Sequence, residues 1–145
     1  EKVHSCCTYT ETGVDQQNTI TIQYVDGKCA VLNSSMVSLS DRKGIIYGTK
    51  GFAVIENINN FESIAVYDSS YKKVAEYKRP KQISGYEYEV EASIRAIRSG
   101  QLECVEMPHS ETVRIMKMMD RLREEWGIVF PFEKAQEEIP QETEE

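Results

Sequence analysis

Polar and apolar positions alternate along the first half of the chain and change period in the second. Val3 to Thr10 is apolar and β-prone, and Asn18 to Tyr24 sets Thr19, Thr21 and Gln23 against Ile20, Ile22 and Tyr24, the period of a sheet with two unlike faces. Asp26-Gly27 supplies a tight turn, because both residues tolerate positive φ, and Cys29 to Met36 is the expected return strand. Lys43 to Gly48 and Phe52 to Asn57 flank Thr49-Lys50-Gly51 and predict a second hairpin. Ser63 to Tyr67 and Lys73 to Lys78 around Asp68-Ser69-Ser70-Tyr71 predict a third, closed by Pro80, which cannot continue a ladder.

The helical period begins after Pro80. Ser84 with Glu87 three residues later has the form of a capping box, and Tyr86, Val90, Ile94 and Ile97 fall on one face of a helix that Gly100 stops. After Pro108, Ser110 is placed to cap a second helix with Glu111 at its positive end, and Ile115, Met118, Met119, Leu122 and Trp126 form its apolar stripe up to Gly127. Strands followed by two amphipathic helices predict an α+β fold: an open, mainly antiparallel sheet with the helices packed on one face. No internal repeat breaks this order. The reading gives one folded domain over 1–133 and an acidic, flexible tail over 134–145.

Composition excludes several classes. With 145 residues, 40% hydrophobic and 28% charged, one core is expected, and no stretch reaches the roughly 20 apolar residues of a membrane span. Glu1-Lys2-Val3-His4-Ser5 lacks a basic segment followed by an apolar run, so no signal peptide is expected, and a start at Glu1 implies a trimmed or partial chain. Of the net charge of -7, much lies in Glu133, Glu137, Glu138, Glu142, Glu144 and Glu145, opposed only by Lys134. The remainder is close to neutral and has no clustered cations to displace counterions, which argues against a nucleic-acid partner. Cys6, Cys7, Cys29 and Cys104 show no C-x-x-C spacing and read as reduced structural thiols, which favours a cytoplasmic setting.

Candidate chemistry is sparse. Gly44, Gly48 and Gly51 follow G-x-x-x-G-x-x-G between strands, not G-x-G-x-x-G at a helix entry, so they read as turn glycines. His4 and His109, the only imidazoles, have no ligand-spaced Cys, Asp or Glu; His109 reads as the residue before a cap, and no metal site is expected. No serine lies in a G-x-S-x-G elbow. Glu87, Glu89 and Glu91 cannot share one helix face as a catalytic pair and read as solvated, while Met116, Met118 and Met119 read as core filling. Tyr9, Tyr24, Tyr47, Tyr67, Tyr71, Tyr77, Tyr86 and Tyr88 offer rigid area with a polar tip for packing, a partner subunit or a sugar-like ligand. No catalytic, cofactor-binding or metal-binding residue emerges, and the substrate-binding residues are unknown.

Gly85-Tyr86-Glu87-Tyr88-Glu89-Val90, Ile94 to Gly100, Pro108 to Met116 and Gly127-Ile128-Val129-Phe130-Pro131-Phe132-Glu133, in that order, resemble the C-terminal domain of the glucose-fructose oxidoreductase and inositol dehydrogenase (Gfo/Idh/MocA) family, which includes the dihydrodiol dehydrogenases. Ile46-Tyr47-Gly48-Thr49-Lys50-Gly51 matches that family's I-x-G-T-x-G hairpin, a fold marker. The resemblance runs from about Val3 to Glu133. It implies an NAD- or NADP-dependent oxidoreductase acting on a sugar, polyol or related hydroxy compound, in which this domain lies on the substrate side and helps subunits associate, giving a homo-oligomer through the sheet face. The family's glycine fingerprint, E-K-P lysine and D-x-x-x-H pair belong to parts missing here, so those roles transfer to no residue and the fragment alone is expected to be inactive. The missing nucleotide-binding domain is then a partner, and NAD or NADP is a cofactor of the full-length protein. Two other readings stand beside it: a stand-alone module binding a ligand or protein through the tyrosine-bearing face, and a purely structural oligomerisation domain.

Overall fold

A computed structural model describes residues 2–133; the acidic tail read over 134–145 lies outside the described residues. The α+β class and the antiparallel pairing stand as read. The strands form two sheets: β1 (Lys2–Tyr9), β2 (Asp15–Gln23) and β3 (Cys29–Ser35) in the order β1-β2-β3, and β4 (Gly44–Gly48), β5 (Gly51–Glu56), β6 (Ser63–Asp68) and β7 (Lys73–Lys78) in the order β4-β5-β6-β7. Two helices follow, α1 (Tyr86–Arg98) and α2 (His109–Glu125). The chain divides into two compact units, one formed by the residues up to Ser38 with those from His109, the other by Leu39–Pro108.

In the first unit every register is set by the alternation seen in the sequence. Val3 pairs with Ile22 and Ile22 with Ala30, and Ser5 pairs with Ile20 and Ile20 with Leu32, so these residues share one face, while His4, Thr21 and Val31 share the other. Ile22 is buried on the first face, and Leu122 of α2 and Ile128 beyond it are buried in the same unit. The Asp26-Gly27 turn forms as expected: Gly27 has φ 84°, and the Tyr24 amide donates to the Lys28 carbonyl at 2.8 Å. At the end of α2, Gly127 takes φ 67° and the Ile128 amide donates to the Arg123 carbonyl at 3.0 Å, a helix stop that needs a residue free to adopt positive φ.

In the second unit the hairpins close at Thr49-Lys50 and at Asp68 to Lys72. Asp68 builds the latter turn by accepting the Ser70 amide at 2.8 Å and the Lys72 amide at 3.1 Å. Gly51 has no alternative residue: a Cβ there would lie 2.0 Å from the Tyr67 carbonyl oxygen on the neighbouring strand. Gly100 ends α1 at φ 69°, as the sequence indicates.

Three local expectations are corrected. The stripe Tyr86, Val90, Ile94 and Ile97 is exposed, and the side of α1 that turns inward carries Ala92 and Ala96 instead. The segment after α1 folds back along the helix, with the Cys104 thiol 3.9 Å from the Ser93 hydroxyl and Glu106 paired with Arg95. Helix α2 begins at His109, so Ser110 sits inside the first turn rather than capping it. Of the methionine run, Met118 is half-buried while Met116 and Met119 are exposed, because Leu122, one turn beyond Met118, fixes the inward side.

Candidate functional site

The surfaces with capacity for chemistry are the sheet faces. In the four-stranded sheet, Tyr47 pairs with Phe52 and Phe52 with Tyr67, which places the three rings on one face. Phe52 and Tyr67 stack with centroids 4.8 Å apart at 9°, and Tyr71 tilts against Phe52 at 5.9 Å. The opposite face carries Ile46, Ala53 and Val66 in line. Every residue of β5 and β6 on both faces is only half-buried, so neither face is sealed. An open depression of about 460 Å³ lies at the turn end of this sheet, lined by Ile46, Gly51, Val66, Asp68 and Val74 with Lys50 at its rim.

The outer face of the three-stranded sheet is different in kind. His4, Cys6 and Thr8 of β1 stand in register with Thr21, Thr19 and Gln17 of β2, and these with Val31, Asn33 and Ser35 of β3. The Thr19 hydroxyl donates to Asn33 Oδ1 at 2.8 Å. This is a ladder of hydroxyl and amide groups with one imidazole and one thiol. Its inner face is held by the end of α2: the Trp126 indole N–H donates to Ser5 Oγ at 2.9 Å, and the Tyr9 hydroxyl donates to the Trp126 carbonyl at 2.7 Å.

Charged groups with displaced pKa values do structural work. Glu87 is held down from 4.5 to about 2, by its own backbone N–H first and then by those of Ile83, Ser84 and Gly85. Its carboxylate is 2.9 Å from the Gly85 amide and 3.2 Å from the Ser84 amide and hydroxyl. The capping box is therefore half made: Glu87 reaches back as expected, but Gly85, in a left-handed conformation, occupies the cap position and offers no side chain. Glu87 is half-buried and engaged, not solvated as its spacing implied. Ser70, then the Lys72 amide, hold Asp68 below the carboxylate range. Arg123, then the Phe130 amide, do the same for Glu133.

The Arg123 cluster escapes sequence reading. Its guanidinium binds Glu133 through two nitrogens at 2.7 and 2.8 Å, reaches the Ile128 carbonyl at 3.2 Å and lies 4.5 Å over the Phe130 ring. The only signal was the ten-residue spacing of opposite charges across Gly127, which no periodic rule marks. Gly48 and Gly51 flank the β4–β5 turn as read, but Gly44 is not a turn glycine: it opens β4 opposite Ile55 at the other end of the hairpin, and no helix entry lies near any of the three. His4 is on the outer face of β1 and His109 opens α2. Among the described residues no group of three His, Cys, Asp or Glu is placed to hold a metal ion. Cys6, Cys7, Cys29 and Cys104 are free thiols, with Cys6 exposed and Cys7 half-buried on opposite faces of β1. Apart from Tyr67, all the tyrosines are exposed.

No family model matches the chain. It is similar to scyllo-inositol 2-dehydrogenase (NADP(+)) IolU of Bacillus subtilis (strain 168), 30% identical over 126 residues covering 86% of this chain and 37% of that protein. It is also similar to trans-1,2-dihydrobenzene-1,2-diol dehydrogenase of Xenopus tropicalis, 25% identical over 126 residues, covering 83% of this chain and 38% of that protein. The protein of the same name from Xenopus laevis is 26% identical over the same length. The chain thus spans little more than a third of the curated relatives it matches. Inositol and dihydrodiol dehydrogenases are both among the groups that the sequence resemblance named.

Proposed function

We propose that this chain is the substrate-side and subunit-association domain of a Gfo/Idh/MocA-type, NAD(P)-dependent oxidoreductase acting on a sugar, polyol or related hydroxy compound. One observation carries the reading: 126 residues align with dehydrogenases of which the chain spans only 37 to 38%. The relative with 30% identity bears NADP(+) in its name, which favours NADP over NAD.

The division of labour follows from what the residues can do. A hydride transfer needs a dinucleotide cradle, and the described residues hold no glycine-rich helix entry to serve as one. The dinucleotide, when bound, supplies the hydride acceptor; the full-length protein's nucleotide-binding domain would hold it. The hydroxyl and amide ladder of the three-stranded sheet can hydrogen-bond the hydroxyls of a polyol, and the aromatic face of the four-stranded sheet can pack against a partner subunit. No helix among the described residues is long and apolar enough to cross a membrane, and the free thiols fit a cytoplasmic setting.

The reading is tested by titrating residues 1–145 with NADPH and NADH while following nucleotide fluorescence. No saturable binding at micromolar concentration is expected. Binding competed by adenosine diphosphate would reveal a phosphate site within the chain and overturn the assignment. A binding module using the tyrosine-bearing face is the second reading, favoured by the number of exposed tyrosines.

A further inference from the structure

We propose that the Asp26–Gly27 peptide is the site at which this chain converts to isoaspartate, and that the hairpin it turns holds the conversion in check until β2 and β3 part. The inference is independent of the oxidoreductase reading, since every atom the reaction needs lies in residues 24–28 or in water.

Asp26 is the only Asp or Asn in the sequence that is followed by glycine. The pairing matters because the reaction is an attack by the next residue's amide nitrogen on the side-chain carbonyl carbon, and a residue with no Cβ leaves that approach open. The Gly27 nitrogen bonds to Asp26 Cγ, the Cγ–O bond breaks, and the amide proton leaves with the carboxyl OH as water, closing a five-membered succinimide. Water then opens the ring at either carbonyl. One cut restores aspartate; the other routes the main chain through Cβ and frees the α-carboxylate. No oxidant, reductant or further reactant enters.

The folded turn obstructs this path at each reacting group. The Gly27 amide donates to the Tyr24 carbonyl at 3.0 Å, so the nucleophile is engaged. Asp26 accepts the Lys28 amide on Oδ1 at 3.2 Å and the Lys28 ammonium on Oδ2, so both carboxyl oxygens are held. The ammonium first, and the amide after it, keep the carboxyl below its ordinary range, and an ionised carboxylate is a poor electrophile. These restraints differ in weight. The ammonium pair is exposed, 79% on the lysine and 54% on the aspartate, and exposed pairs contribute little. The backbone bonds of Tyr24, Gly27 and Lys28 last as long as the hairpin does, so its local opening is the main gate. Asp68 builds a comparable turn by accepting the Ser70 and Lys72 amides, but its next residue is Ser69, whose side chain hinders the attacking nitrogen.

Conversion inserts a backbone atom into a turn whose Tyr24 amide and Lys28 carbonyl meet at 2.8 Å, and so misaligns the β2–β3 pairing that carries the Thr19–Asn33 bond. The gene product carrying residues 1–145 is aged at pH 7, folded and in urea. Isoaspartate is counted by methyl transfer from labelled S-adenosylmethionine with an isoaspartyl carboxyl methyltransferase, and located by peptide mapping. It is expected at Asp26 ahead of Asp68 and of every other Asp or Asn, forming at least about tenfold faster in urea than in the folded protein. Lys28→Met is expected to speed conversion of the folded protein by about twofold to fivefold and to leave the rate in urea unchanged, which separates loss of the restraint from a change in intrinsic reactivity. Asp26→Glu keeps the carboxylate but cannot close a five-membered ring, and is expected to abolish conversion at this position. Equal rates in the folded and unfolded protein would overturn the gate, and earlier conversion at any other residue would overturn the site. A Lys28→Met rate equal to the parent's when folded would remove the ammonium from the mechanism.

Discussion

The indole N–H of Trp126 donates to the hydroxyl of Ser5 at 2.9 Å, tying together residues 121 positions apart. The Ser5 hydroxyl is itself 3.4 Å from Glu125, and Tyr9 donates to the Trp126 carbonyl at 2.7 Å, so the end of α2 is anchored on β1 by a short chain of polar contacts. Hydrogen bonds of this kind contribute about 1 kcal/mol each. Trp126→Phe and Ser5→Ala should each destabilise the protein by about 1 kcal/mol, and the double variant should cost less than their sum, because both remove the same bond. Urea titrations of the four proteins check this.

The amide cluster on Glu87 gives a pH dependence with a defined sign. The folded carboxyl titrates near 2 and an unconstrained one at 4.5, so the stabilisation is fully present above 4.5 and is lost as pH falls toward 2. Glu87→Gln cannot titrate. Its thermal midpoint should lie a few degrees below the parent at pH 7, and the gap should close as pH falls through that window. Differential scanning calorimetry measures it; a gap constant from pH 7 to pH 2 would show that the charge does not cap α1.

Much of this fold was legible because its determinants are local. Alternation at Asn18 to Tyr24 and the Asp-Gly turn located β2 and β3, and Gly100 located the end of α1. Two features were not. Periodicity marks which residues of α1 are apolar but not which side is covered, and it is Ala92 and Ala96 that are buried. Nor does it say which strand edges meet, so the division of seven strands into two sheets had no local signal. The site was less legible still: the ladder on β1, β2 and β3 consists of common polar residues that acquire meaning only in register.

Gly51 carries the tightest steric constraint. Any Cβ there meets the Tyr67 carbonyl oxygen at 2.0 Å, backbone that cannot move aside without breaking the β5–β6 pairing. Gly51→Ala should cost on the order of 3 kcal/mol, whereas Gly13→Ala, with open space around the Cβ at φ 86°, should cost about 1 kcal/mol. Denaturant midpoints of the two variants provide the comparison.

Arg123 holds the segment after Gly127 through its planar fork on Glu133. Lysine keeps the charge but cannot make both bonds or lie flat over Phe130. Arg123→Lys should speed hydrogen exchange at the Phe130 amide, which donates to Glu133 at 2.7 Å, while leaving exchange in the β4–β7 sheet unchanged. Exchange followed by mass spectrometry or NMR reads both regions in one experiment.

The central claim is that residues 1–145 complete a dehydrogenase rather than act alone, and cofactor reduction tests it most directly. The gene product that carries these residues is incubated with NADP(+) or NAD(+) and a panel of inositols, sugars and dihydrodiols, and absorbance at the reduced-nicotinamide band is followed, beside the same product with residues 1–145 deleted. The account predicts turnover of at least one polyol by the intact product, with NADP(+) preferred, and none after the deletion. Undiminished turnover after the deletion, or no turnover of any hydroxy compound with either dinucleotide, would contradict it.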